Sequence, residues 1–301
     1  MQELARTGYP LEIEISSMLD NKYSVTNNEY FFDWEEEKAR EIDIAAYPLK
    51  REHQDAKIEP FRVVHRLAIE CKKSNTHAWI FLTRPENLFW FQGQRMGFLK
   101  IATKDLMLDF VDIILSTSKS QLHYHSFERV ASTYAEIKYQ GSKSKKSEIF
   151  EAKNQLVKFV AYDIAQFHKR LERRKFDPTT SHLIWLYHPT IVFDGKLYEA
   201  IIKNGSPQLF ERKHLLLSTT YSPAYVRDFP GTESPELTYL IDVVRKDFFD
   251  NFLQILEKDY ITLWKCVSDN LKRLRKIANE FLQFKDDRNK SIELYLRRLQ
   301  K

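Results

Sequence analysis

Glycine and cysteine are both scarce in this chain of 301 residues, and each shortage excludes a class of protein. The seven glycines never take the G-x-G-x-x-G or G-x-x-x-x-G-K-[ST] spacing, which argues against a dinucleotide-binding fold and a P-loop motor. The two cysteines, Cys71 and Cys266, belong to no C-x-x-C pair. A disulfide scaffold and a cysteine-rich zinc site are therefore excluded, and the chain fits a reducing compartment.

Long apolar runs are missing as well. No window approaches the roughly 18 uninterrupted apolar residues of a membrane-spanning helix. The first twenty residues contain four carboxylates where a secretory signal would have an apolar segment: Glu3, Glu12, Glu14 and Asp20. With 43% hydrophobic and 30% charged residues, the composition is that of a globular domain. We therefore expect a soluble, cytoplasmic protein that does not engage a membrane.

Charge is present in both signs but is segregated along the chain, although the net charge is only +5. Residues 1–60 hold 14 acidic and 7 basic side chains, whereas residues 138–175 hold 11 basic and 4 acidic ones. Residues 265–301 are also basic, with 11 Lys or Arg against 5 Asp or Glu. This pattern suits a protein that binds a polyanion with one surface and cations with another, although solvated helices would give the same pattern.

The periodicity predicts a mixed α/β fold. Helices are expected at about 10–20, 104–116 and 147–175, where apolar residues recur at helical spacing. Strands are expected over 41–47, 62–73, 79–82, 183–187, 190–193, 197–202, 215–219 and 239–244. Asp194-Gly195 is predicted to be a hairpin turn between two of these strands. From residue 245 onwards the pattern is helical, with an apolar stripe typical of a core face or a dimer seam.

Three side chains that can carry out chemistry are predicted to meet on adjacent strands. Alternation on strand 62–73 places Glu70 and Lys72 on the face opposite its apolar stripe. On strand 41–47, Ile42 and Ile44 are predicted to face the core and Asp43 to point the other way. If these strands are neighbours, Asp43, Glu70 and Lys72 converge.

Two carboxylates and a lysine in this arrangement match the needs of metal-assisted phosphodiester hydrolysis. Carboxylate oxygens from Asp43 and Glu70 would hold Mg²⁺, which keeps waters and a substrate phosphate in its shell. The ion would activate a bound water, while Lys72 would orient that water or stabilise the transition state. The alternative is a surface strand with a salt bridge, because the D…E-x-K pattern is short and common.

The surrounding sequence resembles the PD-(D/E)XK superfamily of restriction-endonuclease-like nucleases. The stretch GYPLEIEISSML resembles its first core helix, REIDIAA its Asp strand and LAIECKKS its E-x-K strand, followed by HAWIF. Ile42 stands where the motif has its nominal proline. The resemblance covers residues 8–82 and, more weakly, 183–245. It implies a mixed sheet flanked by helices, and a Mg²⁺-dependent nuclease that cleaves DNA, in restriction or phage defence, with Mn²⁺ as an alternative ion.

The resemblance also implies a domain plan and a fourth site residue. Residues 1–245 would form the nuclease-like domain, with 83–182 as an enlarged helical insertion and 246–301 as a helical C-terminal region. A glutamate of the first helix often completes the metal site in this superfamily, and Glu12 occupies that position. Glu14 is the weaker candidate, because Glu12 borders the buried face of the helix. The catalytic set is therefore Glu12, Asp43, Glu70 and Lys72.

Binding of nucleic acid, most simply double-stranded DNA, would depend on basic side chains that contact phosphates. The candidates are Lys143, Lys145, Lys146, Lys153, Lys169, Arg170, Arg173 and Arg174. Gln155 on the same helix could touch the site or be solvated, and solvation is the favoured interpretation. The His123-x-His125 pair has no evident third ligand nearby, which argues against a metal there.

Three alternatives stay open from the sequence. The chain could keep a nuclease fold as a catalytically silent binding or scaffold subunit, although the intact Asp43, Glu70 and Lys72 argue against that. It could be a ribonuclease, since the metal chemistry is the same. A homodimer through the C-terminal helices would suit cleavage of both strands of a duplex.

Overall fold

Nine strands and three α-helices make up the part of the chain that the computed structural model describes, residues 9–49, 61–85, 99–102, 122–138, 147–173, 182–222 and 237–276. The helices are α1 (Tyr9–Leu19), α2 (Glu148–Arg173) and α3 (Phe249–Asp269), with short 3-10 helices at His123–Ser126 and Lys246–Phe248. The strands are β1 (Tyr23–Asp33), β2 (Lys38–Pro48), β3 (Phe61–Pro85), β4 (Leu99–Ala102), β5 (Arg129–Lys138), β6 (His182–Lys203), β7 (Ser206–Glu211), β8 (His214–Tyr221) and β9 (Leu237–Arg245).

All nine strands belong to one mixed sheet, so the predicted α/β class is confirmed at this level. The order is β1-β2-β3-β5-β8-β9-β6-β4, and β7 pairs with β6. The pairs β1–β2, β2–β3 and β3–β5 are antiparallel, whereas β3–β6 and β6–β9 are parallel. Because β3 pairs with both β5 and β6, the pairings β3-β5-β8-β9-β6 form a closed circuit.

Helices cover the sheet on two sides, which explains the apolar residues on both faces of its central strands. One core cluster joins α1 and the first turns of α3 to the alternate residues Leu67, Ile69 and Cys71 of β3. The other cluster joins α2 to Ala68, Trp79 and Phe81 of the same strand. In the described residues no helix is both long and apolar enough to cross a membrane.

The described part of residues 83–182 differs from the predicted helical insertion. It contains α2, but it also contains β5, which lies inside the sheet between β3 and β8. Only the second and third residues of β5 are buried, and half of its sequence, RVASTYAEIK, is polar. This composition obscures the alternation that would identify a strand. The predicted helix at 104–116 lies outside the described residues.

The described part of the C-terminal region, 246–276, packs into the same core as residues 1–245. Phe249, Phe252 and Leu256 of α3 belong to the cluster with α1, whereas Leu263 and Val267 belong to the cluster with α2. The apolar stripe of α3 is therefore buried within its own chain. The rest of the predicted stripe, from residue 277 onwards, lies outside the described residues, so a homodimer through the C-terminal helices stays a prediction.

The predicted hairpin at Asp194-Gly195 is wrong, because both residues lie within the continuous strand β6. The turn occurs ten residues later at Asn204-Gly205, between β6 and β7, where both residues have positive φ angles, 51° and 77°. Asn-Gly suits such a turn because both residues tolerate this backbone region. Gly195 is instead required for close packing, since a Cβ there would lie 2.4 Å from the Phe193 ring.

Candidate metal site at a fork between strands

The candidate site lies where β2 and β3 separate. Their register pairs are confined to Ile44↔Ile69, Ala45↔Ala68 and Ala46↔Leu67. The alternation of side chains along β2 is broken next to these pairs. Ile44 packs in the cluster with α1, whereas Ile42, two residues earlier, packs in the cluster with α2 on the other face of the sheet. The prediction that Ile42 and Ile44 share one face is therefore wrong.

Asn28 on β1 marks the same irregularity. It lies between the register pairs Asn27↔Ile44 and Glu29↔Ile42, and its φ is 52°. Asparagine tolerates this left-handed conformation better than most residues do. The local break in alternation on both strands places Asp43 at the opening of the fork.

The structure brings the predicted residues Asp43, Glu70 and Lys72 together in this fork. Asp43 Oδ2 accepts a hydrogen bond of 2.7 Å from the backbone N–H of Cys71, in place of a β2 carbonyl. Lys72 Nζ lies 2.7 Å from Glu70 Oε2 and 3.9 Å from Asp43 Oδ2. The ammonium therefore bridges both carboxylates.

Burial favours the protonated forms of the carboxyl groups in the fork. Burial raises the pKa of Glu70 to about 8, although Lys72 opposes this shift, and burial also raises the pKa of Asp43. Burial alone would lower the pKa of Lys72, but Glu70 and Asp43 raise it above its usual value. Glu70 Oε1 is buried and has no hydrogen-bond partner. Lys72 thus contacts both carboxyl groups, and a cation bound at the unpartnered Glu70 Oε1 would favour the ionised form of Glu70.

Mg²⁺ fits this donor set. Within the described residues no group of three or more His, Cys, Asp or Glu side chains is arranged to hold an ion. Magnesium, however, commonly binds through one or two carboxylates and completes its shell with water and substrate phosphate. Asp43 and Glu70 can supply those two carboxylates.

Helix α1 places one further carboxylate next to the fork. Burial and the negative charge of Asp43 raise the pKa of Glu12, whereas Lys72 lowers it, so Glu12 senses both site residues. Glu14 is exposed and lies 2.6 Å from Lys246 in an ion pair at the other side of the helix. The structure thus favours Glu12 over Glu14, as predicted from the border of the buried face.

Helix α2 approaches the fork from the opposite face. Gln155 Nε2 donates a hydrogen bond to the carbonyl of Glu41, two residues before Asp43. The interpretation of Gln155 as a solvated side chain is therefore wrong. Glu148, which the sequence reasoning missed, lies at the start of α2, and its pKa is raised by burial and by Glu136 and lowered by Lys72. Its position in the first turn of a helix is the signal that could have found it.

The structure describes few of the predicted nucleic-acid contacts. The ammonium of Lys153 lies over the rings of Phe150 and Tyr134, 5.3 and 5.8 Å from their centroids, and burial lowers its pKa. Lys169, Arg170 and Arg173 lie on α2, but their side chains are outside the described part. Lys143, Lys145, Lys146 and Arg174 also lie outside the described residues. Phosphate binding by these residues stays a prediction.

A second polar cluster is buried away from the fork, among β8, β9, α3 and the first 3-10 helix. His123 is hydrogen-bonded through Nδ1 to Asp259 and through Nε2 to Asp242, at 3.1 Å in the latter case. His214 Nε2 lies 2.8 Å from the same Asp242 oxygen. His123 therefore finds its partners more than a hundred residues away along the chain. These partners make a buried ionic network, which sequence spacing could not reveal.

Comparison of the chain with protein-family models, with curated proteins and with solved structures finds no match. Because a fold class hosts many functions, the activity has to be inferred from the residues of the fork. The fork offers two buried carboxyl groups and an adjacent lysine whose pKa they raise.

A Glu70→Gln substitution should change how stability depends on pH. With its pKa raised to about 8, Glu70 keeps a proton in the folded state that the unfolded chain releases near pH 4.5. Stability of the wild-type protein therefore falls as the pH rises from about 4.5 to about 8. Glutamine cannot ionise, so we expect the melting temperature of the variant, relative to wild type, to rise by a few degrees across this range.

Thermal unfolding followed by circular dichroism at several pH values measures this difference. Mg²⁺ provides a second readout, because binding to the folded state alone raises the wild-type melting temperature and should not raise that of the variant. Parallel pH profiles for the two proteins would show that Glu70 does not titrate as a buried acid.

Proposed function

We propose that this protein is a metal-dependent nuclease of the PD-(D/E)XK type that hydrolyses phosphodiester bonds of DNA. The observation that carries the proposal is the fork itself, where Asp43, Glu70 and Lys72 meet and Glu70 Oε1 is left without a partner. The mixed sheet with helices on both sides supports a restriction-endonuclease-like arrangement.

Asp43 and Glu70 would hold Mg²⁺, with Glu12 available at the edge of the same site. The bound ion would lower the pKa of a water ligand and offset the charge that builds up on the phosphate. Asp43 also holds the backbone of β3 through Cys71, so the position of its carboxylate is coupled to that of the strand that carries Glu70.

Lys72 is suited to an electrostatic role. Because its two carboxylate partners raise its pKa, the amine stays protonated at neutral pH and cannot accept a proton from water. An ammonium at this place donates hydrogen bonds to a phosphate oxygen or to the attacking water, and it stabilises the charge of the transition state. Both roles that the sequence left open for Lys72, orientation of the water and stabilisation of the transition state, would therefore be carried out by the charged ammonium.

Incubation with nucleic acid and Mg²⁺ tests the proposal directly. Supercoiled plasmid, single-stranded DNA and structured RNA are each incubated with the full chain, with Mg²⁺, with Mn²⁺ and with excess EDTA. We expect cleavage of DNA that requires the ion. Cleavage confined to RNA would show a ribonuclease, and the absence of cleavage from every substrate would refute a catalytic role.

A further inference from the structure

Aromatic side chains are exposed beside the fork. Tyr9 at the start of α1 is 57% exposed, and Tyr30 and Phe32 on β1 are 68% and 42% exposed. Their neighbour Phe31 is buried in the cluster with α2, so alternation directs Tyr30 and Phe32 to the other face of the sheet. We refer to Tyr9, Tyr30 and Phe32 as the aromatic surface.

This aromatic surface is continuous with the candidate site. Tyr30 pairs with Glu41 across β1 and β2, and its hydroxyl donates a hydrogen bond to the Glu41 carboxylate. Glu41 in turn lies two residues from Asp43 and interacts electrostatically with it. Tyr9 precedes Glu12 by three residues, which places both on one side of α1.

The side chains of the candidate site are recessed. The side chain of Glu70 is 1% exposed, that of Asp43 18% and that of Lys72 25%. A phosphodiester must enter the fork to reach them. A single strand can bend into such a recess and leave its bases free, whereas a duplex keeps its bases stacked on each other. Aromatic rings beside a strand's path bind unpaired bases by stacking, and they do so without regard to sequence.

We propose that the aromatic surface stacks unpaired bases of a single-stranded nucleic acid whose backbone enters the fork. The inference rests on the proposed function and narrows its substrate from the double-stranded DNA expected from the sequence to a single strand. The rings act as positioning residues for the strand, because they lie beside the carboxylates rather than among them.

Binding is measured by fluorescence anisotropy with a labelled poly-dT strand of about 20 nucleotides and with a duplex of the same length. The buffer contains EDTA, so metal-dependent hydrolysis cannot occur during the titration. We expect the wild-type chain to prefer the single strand. Tyr30→Ala should weaken single-strand binding roughly tenfold, because the loss of one stacked base costs about that factor.

Two further variants separate stacking from other effects. Tyr30→Phe keeps the ring and removes the hydroxyl that binds Glu41, so it should retain most of the affinity. Phe210→Ala removes an exposed aromatic ring on β7, and it should leave binding unchanged. Because Tyr30 is exposed, its replacement by alanine should not alter the melting temperature appreciably.

Equal affinity for strand and duplex, or an unchanged affinity of Tyr30→Ala, would overturn the inference. So would gel filtration showing that Tyr30→Ala converts a dimer into a monomer, because the surface would then be an interface between copies. Tyr30-dependent binding without Mg²⁺-dependent cleavage would refute the nuclease proposal and leave the binding surface intact. Mg²⁺-dependent cleavage that Tyr30→Ala leaves unchanged would refute the binding surface and leave the nuclease proposal intact.

Discussion

Replacing Asp43 with asparagine should reduce Mg²⁺-dependent cleavage by roughly a thousandfold, which corresponds to about 4 kcal/mol of activation free energy. The substitution removes one of the two carboxylates that would hold the ion, Asp43 and Glu70. The amide oxygen of asparagine can still accept the hydrogen bond that Cys71 N–H donates to Asp43, so the fork should keep its shape. The rates of cleavage of single-stranded DNA and of plasmid, measured with saturating Mg²⁺, check this expectation.

The two glutamates of α1 provide a matched control for this loss. Glu12→Gln removes a carboxylate that interacts with Asp43, whereas Glu14→Gln removes one that pairs with Lys246. We expect slower cleavage from the first variant and wild-type cleavage from the second. Full activity of Asp43→Asn would exclude the fork as the metal site, and equal losses at Glu12 and Glu14 would point to a general effect of charge.

Replacing His123 with alanine should destabilise the protein by about 3–5 kcal/mol, the range measured when one partner of a buried ion pair is removed. Burial alone would lower the pKa of His123, but Asp242 and Asp259 raise it to about 10, so the imidazolium is charged at neutral pH. Without the imidazolium, Asp259 loses its charged partner and Asp242 keeps only His214, although both carboxylates stay buried. Urea unfolding at neutral pH measures the loss.

The pH dependence of this loss identifies its cause. The contribution of His123 is fully present below its ordinary pKa of 6.5 and is lost as the pH rises towards about 10. The difference between wild type and His123→Ala should therefore shrink over that range. His214→Ala removes only one hydrogen bond to Asp242 and should cost about 1–2 kcal/mol. A difference that is constant with pH would indicate lost packing rather than lost charge.

Local features of the sequence were sufficient for the elements that carry the site. The helix expected at about 10–20 is α1 (Tyr9–Leu19), and the strands expected over 41–47 and 62–73 are parts of β2 and β3. Their periods of about four and two residues are properties of short segments, so they are visible without knowledge of the rest of the chain. Asp43, Glu70 and Lys72 follow from those periods together with the residue types.

Features that depart from the regular alternation of a strand could not be predicted from local periodicity. Nothing in the local pattern shows that Asn28 takes a left-handed conformation and that Ile42 and Ile44 therefore face opposite sides. The turn signal at Asp194-Gly195 was overridden because long parallel pairing with β3 continues through Asp194 and resumes at Lys196. Tertiary pairing outweighs a turn preference, which is worth little beside many ladder hydrogen bonds.

The sequence by itself determined the α/β class, the order of the elements around the fork and the carboxylates and lysine that meet there, because these depend on local periodicity and residue type. Only the tertiary structure decided that Gln155 binds the backbone of β2 and that His123 lies between Asp242 and Asp259. The physical reason is that burial and contact between distant segments set the charge of a side chain, and neither is encoded in its neighbours along the chain.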